Sequence, residues 1–189
     1  VVVADDGSAS APDVPRGVEV VTQPDAGFRA ARIRNRAVER ATGDVLLFLD
    51  ADTVPEPGYV AALAALPGAL TEAVVVGRRR HADLTGLAAG DDLAAWGARA
   101  ELDEPRWLRD AYRSTADLLR ADETSYRFVV GAVMGCSRRF FAETGGFDES
   151  FTTYGGEDWE WAHRAWTHGA VLTHVPSAVA WHDGPARDD

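Results

Sequence analysis

Val45-Leu46-Leu47-Phe48-Leu49-Asp50-Ala51-Asp52 decides the fold. A short unbroken apolar run is the pattern of a strand covered on both faces, and here it ends in two carboxylates one residue apart. Just upstream, residues 29–42 read as an amphipathic helix. Ile33, Ala37, Val38 and Ala41 share one face, Arg29, Arg32, Arg36 and Arg40 line the other, and Arg34 lies off that stripe. Gly43 suits the end of such a helix. Further upstream, Val1–Ala4 is a strand signature stopped by the turn cluster Asp5-Asp6-Gly7-Ser8, and Val18–Thr22 reads as a second strand. Strands and helices alternating over short connections predict an α/β sheet with covered faces.

Downstream, an Ala/Leu-rich helix follows Pro55 and Pro57, then a strand at Val74–Gly77. Residues 82–125 lack alternation and carry Trp96, Trp107 and many charges, so helices and loops of an insertion or lid are expected there. Phe128–Ser137 is strand-like, Arg138–Thr144 a short helix and Glu157–Thr167 a longer one. Val171–His182 predicts one or two short strands around Pro176.

The 189 residues suit one domain, and an apolar share of 46% with 26% charged is the balance of a globular protein with a core. Acidic residues outnumber basic ones 30 to 19, a net charge of -11, which argues against nucleic acid as a partner. All 19 basic residues are Arg. Without Lys, a P-loop phosphate lysine, a pyridoxal Schiff base and a kinase-type nucleotide lysine are excluded. With Cys136 alone, so are an intramolecular disulfide, a multi-Cys zinc site and a redox pair. No apolar run approaches the ~20 residues of a membrane span, and no leader pattern precedes Val1. The expected location is the cytoplasm, with any membrane association supplied by other parts of a longer parent protein.

Ligands of open α/β sheets bind beyond the carboxyl ends of strands. Asp50 and Asp52 stand at such an end, where paired carboxylates suit a hard divalent cation completed by phosphate oxygens, or simply a turn. Gly155-Gly156-Glu157-Asp158 opens the helix that ends at Thr167. Its acids suit the positive end of the helix dipole, and they equally suit a positioned base beside Trp159 and Trp161. These two tryptophans read either as sugar-stacking surface or as core. Taken alone, His182 reads as a packing residue. Arg78-Arg79-Arg80 reads as a solvated run, with a phosphate-facing role as the alternative.

In order, the chain carries Asp5-Asp6-Gly7-Ser8, Ala31-Arg32-Ile33-Arg34-Asn35-Arg36-Ala37, Gly43-Asp44, Leu47-Phe48-Leu49-Asp50-Ala51-Asp52, Gly145-Gly146-Phe147-Asp148-Glu149, Gly155-Gly156-Glu157-Asp158 and His182. This series resembles a family 2 glycosyltransferase of the GT-A fold, a Rossmann-like, mostly parallel sheet flanked by helices. The second half is similar to the galactosyltransferase C-terminal domain found in chondroitin-type polymerases. The resemblance implies a metal-dependent inverting enzyme that moves a sugar from a nucleotide-diphosphate sugar, a UDP-sugar first of all, to a hydroxyl of a glycan or glycoconjugate. It implies a single domain over 1–189, with a nucleotide-sugar half at 1–57, a middle segment with a helical insertion at 58–127 and an acceptor half at 128–189.

The same resemblance assigns roles. Asp5, Asp6, Arg29 and Arg34 would face the nucleotide, and Asp50 the ribose or metal-bound water. Asp52 and His182, with Asp50, would hold Mn2+ or Mg2+. Asp158 would be the general base, with Glu157, Gly156 and Trp159 on the acceptor side. A nucleotidyltransferase that forms nucleotide sugars is the nearest rival enzyme, but it would use a Gly-rich loop with a Lys. A non-catalytic nucleotide-sugar or carbohydrate-binding fragment is the rival of a different class. Family members place a strand and helix before the Asp-Asp-Gly-Ser strand. Val1 already belongs to that strand, so this chain is expected to lack the first β–α unit, to show a gap in its sheet and to be a fragment of a longer protein.

Overall fold

Ala73-Val74-Val75-Val76 buries every side chain completely, and the sheet is built outward from it. The computed structural model describes residues 1–185. Within them the strands are β1 (Val2–Asp5), β2 (Glu19–Thr22), β3 (Val45–Leu49), β4 (Thr53–Pro55), β5 (Ala73–Ala82), β6 (Glu101–Leu102), β7 (Val133–Ser137) and β8 (Val171–Asp183). The helices are α1 (Ala30–Arg40), α2 (Tyr59–Ala69), α3 (Leu93–Arg99), α4 (Arg106–Ser114), α5 (Arg138–Glu143) and α6 (Glu157–Thr167), with a 3-10 turn at Ser125–Phe128.

The main sheet runs β3-β7-β5-β8-β4, and β6 extends β5. β3, β5 and β8 point one way. β7 is inserted antiparallel between β3 and β5, and β4 and β6 also run opposite to those three. The sheet is therefore mixed, with β5–β8 as its parallel pair, rather than mostly parallel. β1 and β2 pair in parallel as a separate two-stranded sheet. Among the described residues no ladder joins them to β3, so the expected gap is present.

α2 covers one face through Tyr59 and Leu63. On the opposite side Phe48, Phe141, Phe147 and Trp161 form a continuous aromatic cluster, with ring centroids 5.2–5.9 Å apart. Trp161 is fully buried and its indole N–H donates to Thr144 Oγ1 at 3.0 Å, so the burial leaves no orphan donor. That settles one alternative: Trp161 is core.

Two strands outrun their sequence signal. β5 continues beyond Gly77 through the Arg run, because Arg78–Ala82 pairs with Val179–Asp183 of β8. Arg80 lies over the Trp181 ring, 4.3 Å from its centroid, and Arg78 faces Glu104 at 3.8 Å. The run is half-buried ladder, not a solvated stretch. β8 is one strand, and its register shift at Gly77/Arg78 loops out Pro176–Ala178, which removes the donor-less proline from the ladder.

Candidate active site

The sheet delivers the ends of β3, β4, β5 and β8 to one region. α1 places Arg34 there, turned away from the solvated stripe of its neighbours. Its guanidinium donates to Asp50 Oδ1 at 2.7 Å and to Glu157 Oε1 at 2.6 Å. Three distant pieces of chain are thus tied by one planar cation: the loop after β3, the first turn of α6 and α1 itself. Burial works against the Arg34 charge, but Asp50 and Glu157 outweigh it and hold the guanidinium above its ordinary pKa. Glu157 is buried, and its second oxygen, Oε2, has no protein partner.

Asp158 sits one residue further into α6. Its Oδ2 accepts the Gly131 backbone N–H at 2.9 Å and its Oδ1 that of Trp159 at 2.9 Å. Burial raises the Asp158 pKa above the usual carboxylate value. The Gly131 hydrogen bond opposes that rise, and the neighbouring Glu157 charge adds to it. A Cβ at Gly131 would stand 3.3 Å from the Asp158 Cβ and 3.4 Å from Arg34 Nη1, so this glycine is what lets the backbone reach the carboxylate. Gly155 and Gly156 hold φ of 81° and 96°, a left-handed turn that turns the chain into α6 and puts both acids in its first helical turn. Beside Asp158, Trp159 is 41% exposed and meets Trp107 of α4 edge-on, centroids 6.4 Å apart. Trp107 itself leans on Phe128 at 6.3 Å.

At the sheet edge, β4 pairs with β8 so that Thr53 opposes His182, which brings Asp52 Oδ2 to 3.2 Å from His182 Nε2. His81 of β5 is the parallel-register partner of His182, their rings 4.7 Å apart. Burial depresses the His81 pKa to about 4, so its ring is neutral near pH 7; its Nδ1 faces the Gly184 carbonyl at 3.1 Å. His182 Nδ1 is buried without a partner. One imidazole nitrogen and one carboxylate oxygen suit a divalent cation. Among the described residues no group of three His, Cys, Asp or Glu converges, so such a cation needs oxygens from outside the protein.

Near β1, Asp6 is fully engaged: Oδ2 accepts Arg29 N at 2.6 Å, and Oδ1 accepts Gln23 Nε2 at 2.5 Å and Arg29 Nη2 at 3.3 Å. Asp5 is buried and accepts Ser8 N at 3.1 Å. Asp6 and Arg29 thus form a clasp between β1 and the start of α1, while Asp5 caps the turn at Ser8. Asp50, Arg34, Glu157 and Asp158 form a second cluster, and Asp52 with His182 a third. Asp50 goes with the Arg34 cluster, where it makes its ion pair, and not with the Asp52–His182 pair. His81, Gly131 and Trp107 escaped the sequence reading. For His81 the available signal was a strand continuing past Gly77; for Gly131 no local signal exists.

The glycosyl transferase family 2 model matches residues 1–145, and the model described as N-terminal domain of galactosyltransferase matches residues 117–181. Chondroitin synthase of Escherichia coli is 27% identical, the match covering 98% of this chain and 30% of that protein. Validoxylamine A glucosyltransferase of Streptomyces hygroscopicus subsp. jinggangensis is 34% identical, over 92% of this chain and 45% of that protein. The chain thus spans less than half the length of these relatives. Among solved structures, GalNAc-T7 with UDP, GalNAc and Mn2+ superposes with a TM-score of 0.60 at 20% identity, over 90% of this chain and 32% of that one, which establishes the GT-A fold. The chain belongs to glycosyl transferase family 2.

Proposed function

We propose that this chain catalyses inverting, metal-dependent transfer of a sugar from a nucleotide-diphosphate sugar to a hydroxyl of a glycan or glycoconjugate. The observation that carries the reading is Asp158. It is a half-buried carboxylate held by a backbone N–H, with a raised pKa, beside an exposed pair of tryptophans. Asp158 takes the acceptor hydroxyl proton while the acceptor oxygen bonds to the anomeric carbon. The bond from that carbon to the diphosphate oxygen breaks on the opposite face, and its electron pair leaves with the nucleoside diphosphate. Trp159, with Trp107, offers the flat apolar surface that sugar rings favour, and Gly156 leaves backbone room next to it. Glu157 fixes Arg34 and through it the acceptor-side wall.

Asp52 and His182 would hold Mn2+ or Mg2+, with Asp50 beside them through ribose or bound water. The cation would neutralise charge on the leaving diphosphate, a role no Lys can share in this chain. The donor is a UDP-sugar in this reading, in keeping with the UDP and Mn2+ of the GalNAc-T7 structure. The clasp of Asp6 and Arg29, with Asp5 and the nearby Arg34, would border the nucleoside. Residues 1–57 then serve the donor, 128–189 the acceptor and 58–127 the link between them, all within one domain. The site would work on the cytoplasmic side, where nucleotide sugars are made; no described helix is long and apolar enough to cross a membrane.

A panel of nucleotide sugars with Mn2+, Mg2+ or chelator tests this, with the anomeric configuration of the product read by NMR. Metal-dependent turnover with inverted configuration is expected. A retained configuration, or turnover undiminished by chelator, contradicts the proposal. Nucleotide-sugar binding without turnover would favour a non-catalytic binding role.

A further inference from the structure

A cavity of ≈ 210 Å³ opens between α4 and the β5–β8 ladder, and none of its lining residues belongs to the site described above. Arg78 and Arg79 reach it from β5, Arg109, Arg113 and Tyr112 from α4, and His174 from β8. Its two carboxylates are committed: Glu104 faces Arg78 at 3.8 Å and Asp117 meets His174 Nδ1 at 2.7 Å. Arg79 has no hydrogen bond or ion pair among the described residues, and its Nε is buried without a partner. Arg109 and Arg113 share only Asp110, each at 3.7 Å. The cavity is therefore a cationic patch in a chain of net charge -11.

The wall is built, not incidental. The His174 side chain is only 7% exposed and stacks flat on Tyr112, centroids 3.8 Å apart and 5° from parallel. With Nδ1 on Asp117, its Nε2 is left buried and unpartnered. Burial holds the His174 pKa below its ordinary value, so the ring is a neutral part of the wall. Three consecutive non-glycine residues with positive φ, Ala116, Asp117 and Leu118 at 51°, 57° and 65°, hold the aspartate against that ring.

We propose that this cavity binds a small anionic molecule of about one sugar ring, with its carboxylate or phosphate on Arg79 and Arg109 and Arg113 at the mouth. A cavity of ≈ 210 Å³ has room for a body on the scale of one sugar ring. The Arg fork matches either anion, so the shared chemistry is an oxyanion on a compact polar body.

The test uses the intact chain and three ligands that share one frame: glucuronate, glucose 6-phosphate and neutral glucose, titrated by calorimetry. At least one anion should bind about tenfold or more tighter than glucose. The better of the two identifies the source as a uronic acid or a sugar phosphate. Arg79→Met should abolish the preference while leaving UDP and Mn2+ binding unchanged. Arg113→Ala, a rim change that cannot unfold the core, should weaken the anion about two- to fivefold. Equal binding of glucose, no binding of any of the three, or anion affinity unchanged in Arg79→Met or, should that variant not fold, in Arg113→Ala, would overturn the proposal. None of these readouts depends on glycosyl transfer.

Discussion

The Arg34 cluster and the Asp52–His182 pair are anchored by neighbouring carboxylates after β3, Asp50 and Asp52, and they are built on opposite plans. Arg34 is 17% exposed and both of its ion pairs are shorter than 2.8 Å. Asp52 is 57% exposed, its Oδ2 lies 3.2 Å from His182 Nε2 and its Oδ1 accepts the adjacent Thr53 hydroxyl at 3.2 Å. The first is a tight knot in which one guanidinium engages one oxygen of each of two carboxylates. The second is an open pair that satisfies neither partner fully. A structural tie has to be complete within the chain, whereas a ligand site has to be left incomplete. The geometry separates the residues that hold the site together from those positioned to receive something.

Substitutions can break this contrast. Arg34→Ala leaves buried Glu157 without a partner and should destabilise the chain by ~3–5 kcal/mol in denaturant titration. A loss below ~1 kcal/mol would mean the knot is not structural. His182→Ala should do the reverse: thermal stability nearly unchanged, and a rise of roughly 100-fold or more in the Mn2+ concentration needed for half-maximal turnover. If melting temperature falls sharply while metal demand stays put, the open pair is merely packing. His81→Phe keeps the ring against His182 but removes its nitrogens. It should shift metal demand about tenfold, as outer-shell changes do, whereas an unaltered demand would confine His81 to the core. Trp159→Ala separates the roles of Trp159 and Trp161, two of the three tryptophans of α6. It should cost under ~1 kcal/mol of stability yet raise the acceptor KM, since Trp159 is 41% exposed while Trp161 is fully buried.

Sequence periodicity carried the fold wherever burial set the pattern. β3 and α6 have the predicted bounds, Val45–Leu49 and Glu157–Thr167, because one is apolar throughout and the other begins after a Gly-Gly turn. Arg34 was already marked as lying off the solvated stripe of α1, and that offset is what points it inward. β5 ran past its prediction because charges normally end a buried strand. Here Trp181, Glu101 and Glu104 accommodate them, and all three come from distant chain. The antiparallel insertion of β7 and the His81–His182 register are tertiary facts without a local signature. So is Gly131: nothing near it in sequence announces that its N–H will hold Asp158, 27 residues away.

Asp158 stands between the two plans: one oxygen is anchored by Gly131 in the rigid part, and its burial raises its pKa. A carboxylate whose folded pKa is raised resists ionisation. Its neutral form is the stabilised one at low pH, and that contribution is lost as pH rises through the raised value. Removing the charge therefore should not weaken the fold. A general base, by contrast, must be ionised, so activity should fall with decreasing pH at a point above the ordinary carboxylate range. The decisive measurement is the rate of sugar transfer from a UDP-sugar with saturating Mn2+, across pH, for the parent chain and Asp158→Asn. The account predicts a roughly 10²–10⁴-fold loss of kcat in the variant. It further predicts stability within ~1 kcal/mol of the parent, intact donor binding and no acid limb. Equal rates in the two proteins would contradict it.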